Sequence, residues 1–333
     1  MAVSIYDLAK ACSLSPATVS RALNHPGQVK KETRALVERK AEEMGFKKRR
    51  YSLSRDNPGS ASSRNFLMLL PTPQNQFYDD IIEGAAAAAV THNARLFIDY
   101  SKITEENVRQ YLKDIKEMGF AGAVLLSDLS LSVLEALKAE LEFVQCSEYN
   151  ELFPGISYVS VDNEESEYRA AEYLLSLGCR DIGYLTAPFT YNYAVKRRIG
   201  LERALRKRGL ACNLLQVPSM SFHLALDAAT HLLTSYHTDA VLCTSDLYAA
   251  AAVKAAWRLG LSVPDDIQIV GFDNISISET TVPSLTTVAQ PRFKLGYTAF
   301  NLLLEELSNP GQKKQHVILP TELIIRESTA QKM

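Results

Sequence analysis

An alternation of short apolar runs with helical segments, which occurs twice after residue 65, is the feature that most restricts the fold. In the first half the apolar runs are 66–71, 94–100, 121–127 and 143–147. In the second half they are 181–188, 238–244 and 267–272. The helical stretches between them lie near 78–91, 104–118, 130–140, 164–177, 192–208, 223–235 and 246–260. Because strands that alternate with helices form parallel sheets, the pattern predicts two α/β units.

The ends of these runs indicate where a ligand would bind. In open parallel sheets a ligand lies outside the carboxyl ends of the strands, and two facing units would bring both sets of ends to one cleft. The sequence has no GxGxxG, Walker GxxxxGK, HExxH or GxSxG motif, and no pair of histidines at metal-ligand spacing. We therefore expect binding without catalysis, and neither a cofactor nor a metal.

Charge is divided unevenly along the chain. Residues 1–60 hold twelve Lys/Arg and six Asp/Glu, a net charge of +6, whereas residues 61–333 carry a net charge of −8. A basic module on an acidic body fits a polyanion contact at one end, and a solvated basic face is the alternative.

No apolar run approaches the roughly 18 residues of a membrane span, and the first ten residues lack the apolar stretch of a secretion signal. With five scattered cysteines and no CxxC spacing, a reduced, cytoplasmic protein is expected.

The first fifty residues predict three short helices. Ile5, Leu8 and Ala9 recur at helical spacing, and Ser15 followed by Pro16 supplies the N-cap and first turn of a second helix. An apolar stripe over 31–44 that ends before a glycine predicts the third helix. Three helices in this length make a minimal helix-turn-helix domain, and a small bundle that docks a protein is the alternative.

The second of these helices has the side chains of a DNA-reading helix. Such a helix places short polar groups against phosphates and a longer group at base edges in the major groove. Ser15, Thr18 and Ser20 suit phosphate oxygens, and Arg21 can make a bidentate contact with guanine. The neighbouring residues that can touch a thymine methyl or another base edge are Pro16 and Ala17.

The segment YDLAKACSLSPATVSRALN (6–24) resembles the DNA-binding head of the LacI/GalR family of bacterial transcription regulators. Further landmarks similar to those of the family follow in order at 75–84, 159–185, 197–205, 243–274 and 283–291. The resemblance implies three parts. They are a three-helix helix-turn-helix domain (1–46), a basic, Ser-rich linker (47–65) and a bilobal, periplasmic-binding-protein-like body of two parallel-sheet α/β subdomains (66–333).

The resemblance also implies roles for particular residues. In the head, Asn24 joins the phosphate contacts, while Pro16, Ala17 and Arg21 read bases. The family's minor-groove wedge pattern is missing from the linker, so its basic cluster is expected to attract phosphates as a loose tether, with a nonfunctional spacer as the alternative. That cluster is Lys47, Lys48, Arg49 and Arg50. The implied effector contacts are Phe77, Tyr78, Ser147, Glu148, Tyr191, Tyr193, Arg197, Phe222, Ser245 and Asp273.

These cleft residues suit a sugar or a nucleoside. Their aromatic members offer flat apolar faces, although each could instead be plain core, and Arg197 and Asp273 offer charge-assisted hydrogen bonds. Ser147 stands where the family often has an acidic or amide side chain, and Glu148 could substitute for it. The segments GFDNI, LTTVAQPR and ELIIREST are similar to those of cytidine-responsive members, which keeps a nucleoside open beside a sugar.

A ligand-responsive repressor is therefore expected. Only four residues follow ELIIREST (322–329), so a tetramerising tail is not expected, and the resemblance implies a homodimer on an inverted-repeat operator. A solute receptor of the periplasmic type predicts the same body but not the basic head. An enzyme acting on a sugar or nucleoside would have to convert the bound compound.

Overall fold

A computed structural model describes residues 5–12, 14–16, 18–19, 22, 29–44, 64–153 and 155–331. In the head, helices α1 (Ile5–Cys12) and α2 (Lys31–Glu43) pack around a small apolar core. The fully buried side chains of this core include Leu8, Val19 and Val37. These core side chains occupy positions at the helical spacing predicted from the sequence. Tyr297, from the body, also packs against this core.

The body is built on two six-stranded sheets. The strands of the first are β1 (Arg64–Leu69), β2 (Ala94–Asp99), β3 (Phe120–Leu125), β4 (Phe143–Cys146), β5 (Tyr158–Val161) and β11 (His316–Leu319). Those of the second are β6 (Ile182–Thr186), β7 (Cys212–Gln216), β8 (Ala240–Cys243), β9 (Gln268–Asp273), β10 (Thr286–Ala289) and β12 (Glu322–Ile324). The strand orders are β11-β5-β4-β3-β1-β2 and β12-β10-β9-β8-β6-β7. Each sheet forms the centre of one lobe.

Helices cover these sheets on both faces. Those of the first lobe are α3 (Asp79–Thr91), α4 (Val108–Glu117), α5 (Leu131–Glu140) and α11 (Arg292–Ser308). Those of the second are α6 (Asn163–Ser176), α7 (Asn192–Arg206), α8 (Phe222–Ser235), α9 (Asp246–Arg258) and the short α10 (Ile277–Thr280). Each lobe has apolar cores on the two sides of its sheet. The predicted α/β alternation is therefore present in both halves of the body.

One strand pair differs from the prediction of two parallel sheets. All described pairs are parallel except β10 with β12, which is antiparallel. The chain leaves β11 of the first lobe at its carboxyl end, crosses to the second lobe and enters β12 within three residues. Because β12 starts at the end of the sheet where β10 finishes, it must run in the opposite direction.

The sequence pattern does not predict several elements, namely β5, β7, β10, β11 and α11. These strands have only four or five residues, and their polar positions interrupt any apolar run. Helix α11 contains Gly296, which lowers helix propensity. The linker prediction also needs a correction, because β1 begins at Arg64 and includes Arg64 and Asn65. No helix in the described ranges is long and apolar enough to cross a membrane.

Candidate functional site

Part of the proposed DNA-contacting surface lies in the described head. Ser15 Oγ accepts a hydrogen bond from the Thr18 backbone N–H at 3.1 Å, which confirms the predicted N-cap. The two hydroxyl groups lie 2.8 Å apart, and the Ser15 side chain is exposed. Pro16 begins the helical segment behind them. The other predicted contacts lie outside the described residues: Ala17, Ser20, Arg21, Asn24, Lys47, Lys48, Arg49 and Arg50.

A cavity of about 350 Å³ lies between the two lobes, at the carboxyl ends of their strands. The first lobe contributes the segments that follow β1, β3 and β4. The second lobe contributes the end of β9 and the segments that follow β6, β7, β8 and β10. Ligands of parallel α/β sheets bind at this end, and the volume is typical of a small-molecule site.

Arg197, on α7, is the central basic group of this cavity. Its side chain is only 4% exposed, its Nε donates to Asn163 Oδ1 at 2.9 Å and its Nη1 donates to the Thr244 carbonyl at 2.7 Å. The guanidinium also stacks over the rings of Phe272 and Tyr193, at 3.4 and 4.9 Å from their centroids. These contacts fix the orientation of the guanidinium before any ligand arrives.

Asp273 ends β9 beside Arg197. Its backbone has φ +111°, an unusual value for a residue with a side chain, and such strain is common at binding sites. One carboxylate oxygen accepts a hydrogen bond from Gln290 Nε2 at 2.8 Å and lies 4.0 Å from Arg197 Nη1. Burial raises the pKa of Asp273 to about 6, and the charge of Arg197 limits that rise.

Glu148 connects the two lobes. It follows β4 of the first lobe, and its Oε1 accepts a hydrogen bond from the Asn192 backbone N–H at 2.8 Å, at the first residue of α7 in the second lobe. Tyr191, which precedes this helix, provides no side-chain cap. Burial raises the pKa of Glu148 to about 8, with a further contribution from the carboxylate of Asp128. Glu148 therefore acts as the N-cap of a helix that belongs to the opposite lobe.

Aromatic rings from both lobes face the cavity. Phe77 and Tyr78, in a 3₁₀ turn after β1, meet edge to face with centroids 5.3 Å apart. Tyr191 and Tyr193, at the start of α7, stack with centroids 5.6 Å apart. Flat apolar faces of this kind can pack against the ring of a sugar or a base.

Eight of the ten predicted effector contacts line the cavity, and two do not. Ser245 is the N-cap of α9, where its Oγ accepts from the Tyr248 N–H at 3.3 Å. Phe222 starts α8 and packs against the core of the second lobe. Those that line the cavity are Phe77, Tyr78, Ser147, Glu148, Tyr191, Tyr193, Arg197 and Asp273.

The cavity also includes polar groups that sequence reasoning missed. Asp128 follows β3, Gln290 follows β10 and Asn75 precedes the 3₁₀ turn. The rule that collects polar residues after each strand could have found Asp128, whereas β10 was not predicted at all. Behind the cavity, Glu167 is fully buried, and neither of its oxygens makes a hydrogen bond of ordinary geometry in the described part of the chain.

Comparisons with known proteins agree with both parts of this arrangement. Residues 4–48 match the model of bacterial regulatory proteins of the lacI family, and residues 171–329 match a periplasmic binding protein-like domain. The ribose operon repressor of Halalkalibacterium halodurans is 31% identical over 98% of this chain and 97% of that protein. The chain belongs to the LacI family of bacterial regulatory proteins. Its members' plan, a DNA-binding head on a periplasmic-binding-protein-like body, is confirmed here.

Other LacI-family proteins are similar over comparable lengths. The HTH-type transcriptional repressor CytR of Escherichia coli K12 is 30% identical over 98% of this chain and 96% of its own. A solved LacI family transcriptional regulator from Enterococcus faecium, with bound ribose, has a TM-score of 0.73 and 25% identity. It covers 81% of this chain and the whole of its own chain. The predicted family and fold class are therefore confirmed.

Proposed function

We propose that this LacI-family regulator is a ligand-responsive repressor. It binds an inverted-repeat DNA site as a homodimer and senses a sugar or nucleoside in the cleft, without converting it. The observation that carries the proposal is the presence, in one chain, of a DNA-binding head and a cavity between two lobes with aromatic and hydrogen-bonding walls. Residues 1–46 form the head, 47–63 the tether and 64–333 the sensor, and the protein works in the cytoplasm with the DNA.

The chemistry of the cavity supports a sugar or a nucleoside. Arg197 and Asp273 lie side by side, so they can donate to and accept from neighbouring hydroxyl groups of one ring. Phe77 and Tyr78 supply apolar faces from the first lobe. The repressor of Halalkalibacterium halodurans is named for a ribose operon, and the Enterococcus faecium structure holds ribose, so a ribose-containing compound is the first candidate.

Lobe closure couples the ligand to DNA. A ligand changes DNA affinity only if it binds the DNA-competent and the other conformation with different affinities. Each wall of the cavity belongs to a different lobe, so a ligand that contacts both favours their closed arrangement. A typical coupling of about 1–3 kcal/mol changes operator affinity by roughly 5–150-fold.

Selection from random duplex DNA with the full chain tests the DNA part of the proposal. We expect an inverted repeat to be enriched. Arg21→Ala should relax the preference at one base pair of each half-site, whereas neutralising Lys47 to Arg50 should weaken binding to all sequences and reduce the salt slope by about 0.9 for each phosphate that is no longer neutralised. Enrichment of no common sequence would contradict the proposed function.

A further inference from the structure

The charges inside the cavity are unequal. Three carboxyl groups line it, those of Asp128, Glu148 and Asp273, and they face a single guanidinium, that of Arg197. Neither a lysine nor a histidine occurs among the described residues of the lining. The lining therefore holds more acidic than basic groups, and a negatively charged ligand would meet only one cation among the described residues.

Arg197 has few donors left for an anion. Its Nε and Nη1 already donate to Asn163 and to the Thr244 carbonyl, and one face of the guanidinium lies on Phe272. Asp273, at 4.0 Å, partly neutralises its charge. A phosphate group usually needs several free donors, and this guanidinium can offer only its remaining edge.

Helix N-termini, the other common anion sites of α/β proteins, are also occupied at this cavity. Glu148 accepts from the first backbone N–H of α7. Ser245 caps α9, and the Asn75 side chain accepts from the Phe77 N–H at 3.0 Å in the 3₁₀ turn. At each of these N-termini a side-chain oxygen of the chain itself therefore already accepts from a backbone N–H that an anion could use.

We propose that the cleft binds a ligand that is rich in hydroxyl or amine donors and carries no negative charge, and that it rejects the phosphate ester of the same compound. This inference rests on the proposed function, because it names the charge class of the same ligand. Carboxylates accept hydrogen bonds from hydroxyl and amine groups, whereas a phosphate brings a charge of about −1.5 to −2 into a wall of carboxyl groups. Like-charge contacts that are sheltered from water cost several kcal/mol.

The protonation behaviour of the wall is consistent with this selection. Burial already raises the pKa of Asp273 to about 6 and that of Glu148 to about 8, so the site disfavours negative charge even without a ligand. A phosphate group would place its negative charge in the same buried environment that disfavours the ionised form of these carboxyl groups.

Isothermal titration calorimetry on the full chain with matched pairs tests the inference. The pairs are ribose with ribose 5-phosphate and cytidine with cytidine 5′-monophosphate. We expect at least one unphosphorylated compound to bind, and its phosphate ester to bind about 100-fold more weakly or not at all. A phosphate ester that binds as tightly as its parent compound, or more tightly, would overturn the inference but not the proposed function. Binding of none of the four would contradict both.

A variant with fewer carboxyl groups in the lining tests whether these groups cause the weaker binding of the phosphate ester. In the double variant Asp128→Asn/Glu148→Gln, the amide at position 148 keeps an oxygen for the α7 N-terminus, and two carboxyl groups are removed from the wall. The ratio of the affinity for the parent compound to the affinity for its phosphate ester should fall about tenfold, because fewer acidic groups lie near the phosphate and the new amides can donate hydrogen bonds to it. The control Asp227→Asn, exposed on α8, should leave the ratio unchanged. An unchanged ratio in the double variant would contradict selection by charge.

Discussion

Glu167 and Asn163 lie one turn apart on α6, so both side chains project from the same face of that helix. Asn163 holds Arg197 by a hydrogen bond, and the charge of Arg197 also acts on the carboxyl group of Glu167. Burial raises the pKa of Glu167 to about 7, and Tyr184 and Asp273 are its other titratable neighbours. A buried carboxyl group with so little hydrogen bonding is costly when it is ionised.

The pH dependence of stability follows from that raised pKa. A group whose pKa is higher in the folded than in the unfolded chain stabilises the fold at low pH, and this contribution disappears as the pH rises through the folded-state value. The free energy of unfolding should therefore fall between about pH 4.5 and pH 7, a window set by the ordinary pKa of 4.5 and the folded-state pKa of about 7. In Glu167→Gln the fall should be smaller by up to about 3 kcal/mol.

Urea unfolding followed by circular dichroism at several pH values measures this difference. The Glu167→Gln variant should keep part of the pH dependence, because burial also raises the pKa of Asp246 to about 8. Glu135→Gln, on the exposed face of α5, is the matched control and should reproduce the wild-type curve. Parallel curves for Glu167→Gln and the wild type would show that Glu167 does not titrate in this range.

Close contact between α6 and α7 places Asn163 and Arg197 within reach of each other. Gly200 allows this contact, because a Cβ atom there would lie 2.1 Å from the Glu164 carbonyl oxygen. Gly84 and Gly296 have the same role between α3 and α11 of the first lobe, where a Cβ atom would lie 1.9 Å from a backbone oxygen. The close approach of these two helix pairs therefore depends on glycine at Gly84, Gly200 and Gly296.

Substitution Gly200→Ala should force α6 and α7 apart. We expect a loss of about 1–3 kcal/mol in the free energy of unfolding, as for other overpacked cores, together with weaker binding of whichever compound the calorimetric pairs identify. Chemical unfolding and calorimetry measure the two effects. Gly155→Ala is the control, because a Cβ atom there meets nothing within 4 Å. Equal stability of the two variants would show that the helices can separate without cost.

The same elements show how far the sequence could predict the fold and the site. Helices α3 to α9 and the long buried strands were predicted because their hydrophobic period extends over many residues. Strands such as β10 have four residues and depend on neighbours that are distant in sequence, so local pattern could not predict them. Ser245 and Phe222 were predicted as effector contacts from their positions after strands or from the family resemblance. In the structure Ser245 caps a helix and Phe222 packs against a core, and a local sequence pattern cannot predict such packing.

At the scale of the whole molecule, the two lobes are also joined by contacts beyond the cavity. Besides Glu148, the loop after β4 contributes the Tyr149 carbonyl, which accepts from Asn192 Nδ2 at 3.1 Å. Glu151 also pairs with Lys196 at 2.9 Å. On the other side of the cleft, Ser276 Oγ donates to Gln76 Oε1 at 3.1 Å. The contacts from the loop after β4 all reach the N-terminal end of α7. Glu148 therefore both lines the cavity and connects the two lobes.

Removal of that cap should favour the open form. Glu148→Ala loses an N-cap bond of about 0.5–2 kcal/mol between the lobes, and small-angle X-ray scattering without ligand should give a larger radius of gyration than the wild type. Glu151→Ala is the control, because its ion pair is half-exposed and contributes at most about 1 kcal/mol. Unchanged scattering of Glu148→Ala would show that the lobes are held by their other contacts.

We expect the edge of the first sheet to form the interface of the proposed homodimer. Strand β2 is an edge strand, and Phe97 and Ile98 on it are exposed, as is Tyr100 just after it. An exposed apolar edge is a surface suited to pairing with a second copy, and two linked heads bind two half-sites far more tightly than one head binds one. Phe97→Asp should therefore give monomers in sedimentation velocity and lower operator affinity by about 100-fold or more. Leu152→Asp, which changes a still more exposed apolar side chain in the loop after β4, should remain dimeric. A Phe97→Asp protein that sediments as a dimer would exclude this edge as the interface.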